Sequence, residues 1–110
     1  MLPKTQRLTA NRIEYLFKKG KKSGNSFLTI KYLANSHQYH RFCVIVSSEI
    51  FPNAIQRNHL RRQLYQIFRL HPELPAVPSD LVVIAKPSLT KLNFQELQST
   101  IIQTLQHITL

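Results

Sequence analysis

RFCVIVSSEIFPNAIQRNHLRRQLYQIFR, residues 41–69, changes its hydrophobic rhythm halfway along. Residues 41–47 form a short run apolar on both faces, the pattern of a central strand. From Asn53 to about Leu70 the rhythm is helical. Leu60, Leu64, Ile67 and Phe68 fall on one stripe, with Pro52 and Asn53 opening the helix. HPELPAVPSD, residues 71–80, carries three prolines and reads as a loop. LVVIAK, 81–86, then reads as a buried strand that Pro87 stops. Strand, full-length helix and strand make a βαβ crossover in a mixed sheet.

The flanks complete one core, as a chain of 110 residues allows. Thr9 caps a helix over roughly 10–19 whose buried stripe is Ile13, Leu16 and Phe17. That helix ends in KKGKK, with Gly20 as the C′ residue and lysines at the negative end of the dipole. FLTIKYL, 27–33, alternates like a strand, and ANSHQYH joins it to 41–47 as an expected antiparallel hairpin. Residues 20–25 have room for a further edge strand. Asn93 with Glu96 resembles a capping box. Phe94, Leu97, Ile101, Leu105 and Ile108 follow on one helical stripe. The expected class is α+β, in the order α-β-β(-β)-α-β-α, as a single domain over 1–110.

Charge supplies the functional signal. There are 15 Lys and Arg against 5 Asp and Glu, a net charge of +10, and such a field draws polyanions. On the helix from Asn53, Arg57, Arg61, Tyr65 and Arg69 form one stripe. Asn58, Arg62 and Gln66 form the next. No acid lies between Glu49 and Glu73, so no helical ion pairs neutralise this face. A merely solvated face would mix signs. Arginine is used here without lysine, and guanidinium forks match phosphate oxygens bidentately. The partner expected is RNA, recognised by backbone and shape. Lys18, Lys19, Lys21 and Lys22 form a second basic cluster, for which helix-dipole compensation is an equal explanation. Phe17, Phe27 and Lys31 are candidates for a groove that holds an unpaired strand, with core packing the competing reading for the aromatics.

Other classes recede. No apolar run approaches the ~20 residues of a spanning helix, and the N-terminus has no signal-peptide h-region, so a cytoplasmic location is expected. The single Cys43 rules out a disulfide framework and reads as a small core residue. His37, His40, His59, His71 and His107 offer general acid–base groups in principle. Only His37 and His40 are close in sequence, and Glu14, Glu49, Glu73, Asp80 and Glu96 are scattered. An autonomous nuclease and a protein-held metal are therefore not expected, and no residue is assigned a catalytic role.

RIEYLFKKGKKSGNSFL, the 41–69 segment and DLVVIAKP together resemble the bacterial ribonuclease P protein component over nearly the whole chain. The most specific matches are Ser47, Asn53, Ala54, Arg57, Asn58, Arg61 (arginine for lysine) and Arg62. Departures are His59 and Tyr65 for arginines, Ser48-Glu49 for a lysine pair, Phe51-Pro52 for a glycine, and Lys31 for an aromatic. The resemblance implies an α-β sandwich like a domain of ribosomal protein S5, with a left-handed crossover carrying the basic helix. It also implies a protein subunit, monomeric apart from RNA, that assists a catalytic RNA in removing the 5′ leader from precursor tRNA. Mg²⁺ would sit at the RNA subunit, with none held firmly by the protein. Arg57, Asn58, His59, Arg61, Arg62, Arg69 and the four lysines would contact RNA. Ile13, Phe17, Phe27 and Lys31 would line the leader cleft. An RNA-binding module of ribosomal or chaperone type, without a role in cleavage, stays open.

Overall fold

Thr9 starts the first helix as expected: its hydroxyl accepts the Arg12 amide at 3.2 Å, and α1 (Ala10–Lys19) follows in the computed structural model. The structure describes residues 7–37, 39–71, 73–74 and 77–108. Gly20 ends α1 in extended backbone, φ −69° and ψ 151°, not in the left-handed form expected of a C′ glycine. Its N–H donates to the Leu16 carbonyl at 2.8 Å, and a Cβ would collide with that same oxygen. Close approach, rather than positive φ, is what requires glycine there.

The chain then gives β1 (Lys21–Gly24), β2 (Leu28–Ala34), β3 (Arg41–Ile45), α2 (Ala54–Leu70) and β4 (Ser79–Ala85). A 3₁₀ turn (Pro87–Lys91) and α3 (Phe94–Gln106) complete it. The edge strand anticipated after Gly20 is β1, antiparallel to β2. The capping box is present in both directions, with Asn93 Oδ1 accepting from the Glu96 amide and Glu96 Oε1 from the Asn93 amide.

The sheet order is β1-β2-β4-β3. β4 pairs antiparallel with β2 and parallel with β3, so β3-α2-β4 is the expected crossover. Two expectations fail here. β2 and β3 do not form a hairpin, because β4 lies between them. β3 is an edge strand, and β2 and β4 are the interior pair. The burial explains this: every residue of β4 except Ile84 is buried, whereas β3 alternates. ANSHQYH must span two strand spacings, roughly 9–10 Å, and a tight turn cannot. β4 also begins two residues earlier than LVVIAK, taking in Ser79 and Asp80.

Cross-strand partners share a face. Tyr32, Leu81 and Phe42 make one row and Ile30, Val83 and Val44 the next. These rows pack on the stripes of α2 (Leu60, Leu64, Ile67, Phe68) and α3 (Leu97, Ile101, Leu105) in one core. Phe42 and Phe68 stack with centroids 4.5 Å apart. The opposite face carries the rows Lys22–Lys31–Val82–Cys43 and Leu33–Asp80–Arg41, and α1 crosses it. Leu16 is the buried anchor of α1, while Phe17 remains 43% exposed. The expected stripe of three therefore holds fully only at Leu16.

Candidate nucleic-acid interface

The α2 helix is set at its start by Asn53, whose Oδ1 accepts the amides of Ile55 and Gln56 at 2.9 and 3.1 Å. Arg57 folds back: its Nη1 donates to the carbonyls of Phe51 at 2.7 Å and Pro52 at 3.0 Å. This guanidinium holds the turn between β3 and α2 as well as adding charge. One turn on, Arg61 Nη1 donates to Asn58 Oδ1 at 2.8 Å. Arg62 and Arg69 are exposed and make no hydrogen bond or ion pair among the described residues. His59 is exposed on the same helix.

Tyr65 behaves differently from the arginines of its stripe. It is half-buried, and its hydroxyl accepts the Val44 amide of the edge strand at 3.3 Å. Burial pushes this hydroxyl's pKa up, and the Val44 hydrogen bond offsets part of that. Burial likewise raises the Cys43 thiol against the pull of Arg61, in keeping with a half-buried packing residue. Beside Tyr65 a groove of about 900 Å³ runs along α2. Arg61, Arg62 and Arg69 line it with charge, Asn58 and Gln66 with amides, and Tyr65 and Leu70 with apolar surface.

The structure gathers the α2 residues but not all the expected contacts. Lys18, Lys19, Lys21 and Lys22 are exposed, with Lys18 3.8 Å from Glu14. Lys21 and Lys22 lie on β1, at the opposite edge of the sheet from β3, against which α2 packs. Ile13 and Phe17 sit one turn apart on α1, and Lys31 is on the sheet face that α1 crosses. Phe27 instead packs against the main core.

A buried carboxylate was missed. Asp80 Oδ1 accepts from Asn35 Nδ2 at 2.9 Å and Arg41 Nε at 2.8 Å, and Oδ2 from Arg12 Nε and Arg41 Nη2, both at 2.6 Å. Burial pushes this carboxyl up, but the hydrogen bonds from Arg41, Asn35 and Arg12 outweigh it and hold the pKa below the usual range. Its hydrogen bond to Asp80 in turn raises the pKa of Arg41, against the opposing effect of burial. The available signal was an acid opening an apolar strand in a chain with only 5 acids. Asp80 ties α1 to the sheet and so fixes where Phe17 stands.

Among the described residues no group of three His, Cys, Asp or Glu is placed to hold a metal ion, and no helix is long and apolar enough to cross a membrane. His40 is buried with Nδ1 accepting the Ser79 amide at 3.0 Å. His71 lies between Gln98 and Glu73.

The family model described as Ribonuclease P matches residues 2–109. The ribonuclease P protein component of Syntrophomonas wolfei is 33% identical over 100 residues, 89% of this chain and 82% of that protein. That of Streptococcus agalactiae is 28% identical over 106 residues, 96% of this chain and 95% of the other. The Thermotoga maritima RNase P protein, solved in complex with 1-(4-fluorophenyl)-2-thiourea, superposes with a TM-score of 0.84 at 26% identity, covering 94% of this chain and 100% of that one.

Proposed function

The chain belongs to the ribonuclease P protein family, and we propose that it acts as the protein subunit that helps a catalytic RNA remove the 5′ leader from precursor tRNA. The observation that carries this reading is the arginine face of α2, of one sign, with Arg62 and Arg69 free to pair. A guanidinium without an internal partner loses little on binding a phosphate and gains charge-assisted hydrogen bonds. Arg61 is oriented beforehand by Asn58, which lowers the entropy lost on docking.

The protein's part is to bind and position. The α2 face docks on the RNA subunit and neutralises its phosphates, so that less Mg²⁺ is needed to fold and load that RNA. In this reading the single-stranded leader runs along α1 and the sheet face that α1 crosses, with Phe17, Ile13 and Lys31 at hand. Phe17 offers a ring for stacking, and Lys31 a cation for the backbone. Mg²⁺ would be held by the RNA subunit, where it would supply the activated water for hydrolysis. The protein's own donors suit that division, since its most buried carboxylate is saturated by Arg12, Arg41 and Asn35. The same reading has the chain work in the cytoplasm, as a monomer apart from its RNA.

The test is reconstitution. Adding the protein to a ribonuclease P RNA should lower the Mg²⁺ required for precursor cleavage. An unchanged Mg²⁺ requirement despite tight binding would leave a binding module only. Cleavage by the protein without any RNA would make it an autonomous nuclease.

A further inference from the structure

The groove along α2 is more than a row of cations. Phosphate contacts need donors and charge, which Arg61, Arg62 and Arg69 supply. They do not need the ring of Tyr65 or the side chain of Leu70, which is 55% exposed beside them. Leu70 at the end of α2 is not among the residues of the main core, whereas Tyr65 packs partly against it and presents the rest of its surface to the groove. The Tyr65 ring is held in place from beneath, because its hydroxyl is engaged by the Val44 amide of β3. A fixed aromatic ring, an exposed aliphatic group and guanidinium planes are what an unstacked base packs against. Asn58 keeps its amide N–H groups after accepting from Arg61, and Gln66 is exposed. Together they bring hydrogen-bonding groups suited to a base edge.

We propose that this groove receives one extruded nucleobase of the RNA subunit, stacked against Tyr65 and Leu70, with its flanking phosphates on Arg61, Arg62 and Arg69. The inference rests on the docking role assigned to α2 and adds the chemical class of what enters. Charge complementarity commits the groove to RNA: no acid interrupts the chain between Glu49 and Glu73, and the net charge is +10. The volume of about 900 Å³ is in the range of small-molecule sites and admits a nucleotide with its phosphates. Tyr65 thereby does work at this position that a further arginine would not.

The experiment is photo-cross-linking in the reconstituted complex of full-length protein and RNA subunit, with 4-thiouridine distributed through the RNA. Trypsin, which cuts after Arg62 and Arg69, releases Gln63–Arg69 as one peptide. With Leu64, Ile67 and Phe68 buried, Gln63, Tyr65, Gln66 and Arg69 are the groups within reach, and fragmentation of the peptide assigns the cross-link among them. The expected result is a cross-link at Tyr65 that Tyr65→Phe retains and that maps to one nucleotide. An abasic residue at that nucleotide should weaken binding by roughly 5-fold to 100-fold, the range spanned by loss of one base stack. Leu70→Ala should weaken it about 3-fold or more by the same logic, and in that variant the abasic penalty should shrink. A tight complex with no cross-link in Gln63–Arg69, or an abasic penalty identical in wild type and Leu70→Ala, would overturn the base pocket alone. Failure of the RNA to bind at all would overturn the docking role and this inference together.

Discussion

Replacing Asp80 with Asn tests how α1 is held on the sheet. The carboxylate accepts four hydrogen bonds from three side chains, two of them guanidinium groups. The amide keeps one oxygen and turns an N–H₂ toward a guanidinium, so two acceptances are lost and Arg12 and Arg41 lose their counter-charge. Their side chains are only 28% and 20% exposed, so water replaces little of it. Removing one partner of such a pair costs about 3–5 kcal/mol, a large share of the ~5–15 kcal/mol that holds a domain. With a urea m-value of about 1–3 kcal/mol per M, the midpoint should fall by at least about 1 M. Far-UV circular dichroism follows this in a chain that has no tryptophan. The pH dependence supplies the control. The folded-state pKa of Asp80 is depressed, so its stabilisation is fully present above the unfolded value of about 3.9. It is lost as pH falls through the folded value. The gap between wild type and Asp80→Asn should therefore be constant from pH 7 to about 5 and close at lower pH. A gap below about 1 kcal/mol at pH 7, or one that persists unchanged to pH 2, would refute this account of the cluster.

Leu64 lies wholly within the core, so Leu64→Ala should lower unfolding free energy by about 2–5 kcal/mol, and denaturation at constant m-value would measure it. Arg62→Ala should weaken binding to the RNA subunit by about 1–3 kcal/mol with stability changed by less than about 0.5 kcal/mol. Arg57→Ala should show a comparable binding loss together with a stability loss of about 1 kcal/mol or more, because its guanidinium also bonds the carbonyls of Phe51 and Pro52; equal unfolding curves for the two variants would contradict that turn-holding role. Phe17→Ala should reduce affinity for precursor tRNA more than for mature tRNA, as read by filter binding to the holoenzyme, since its ring is too exposed to anchor the core.

The helices were legible where their determinants are local. The stripe of α2 and both arms of the Asn93–Glu96 box involve residues within a few turns of each other. The Thr9 cap is legible for the same reason. Strand neighbours were not, since alternation reveals which face is buried but not which strand lies alongside. Two apolar runs joined by seven residues suggested a hairpin, and only the burial of β4 shows why it intervenes. The Asp80 cluster was hidden by distance along the chain: its partners lie 68, 45 and 39 residues away. On α2, the arginine spacing put Arg61, Arg62 and Arg69 on one face, as the structure has them, but the division of labour on it depends on tertiary neighbours. Nothing near Arg57 announces that it will bond backward, and nothing near Tyr65 announces Val44.

The placement of β4 also bears on biosynthesis. Every strand pairing except β1 with β2 waits for residues 79–85, the last strand to be made. At roughly 5–20 residues per second, the ribosome spends about 4–16 s producing a chain whose sheet has no centre. Once made, β2 has only β1 beside it and β3 has no neighbouring strand until β4 emerges, and premature pairing between them, or with another nascent chain, is the hazard. The lysines of β1 and the arginines of α2 emerge within the same window, and their mutual repulsion keeps such chains apart. The charge that suits the finished protein to RNA thus also protects it before it has folded.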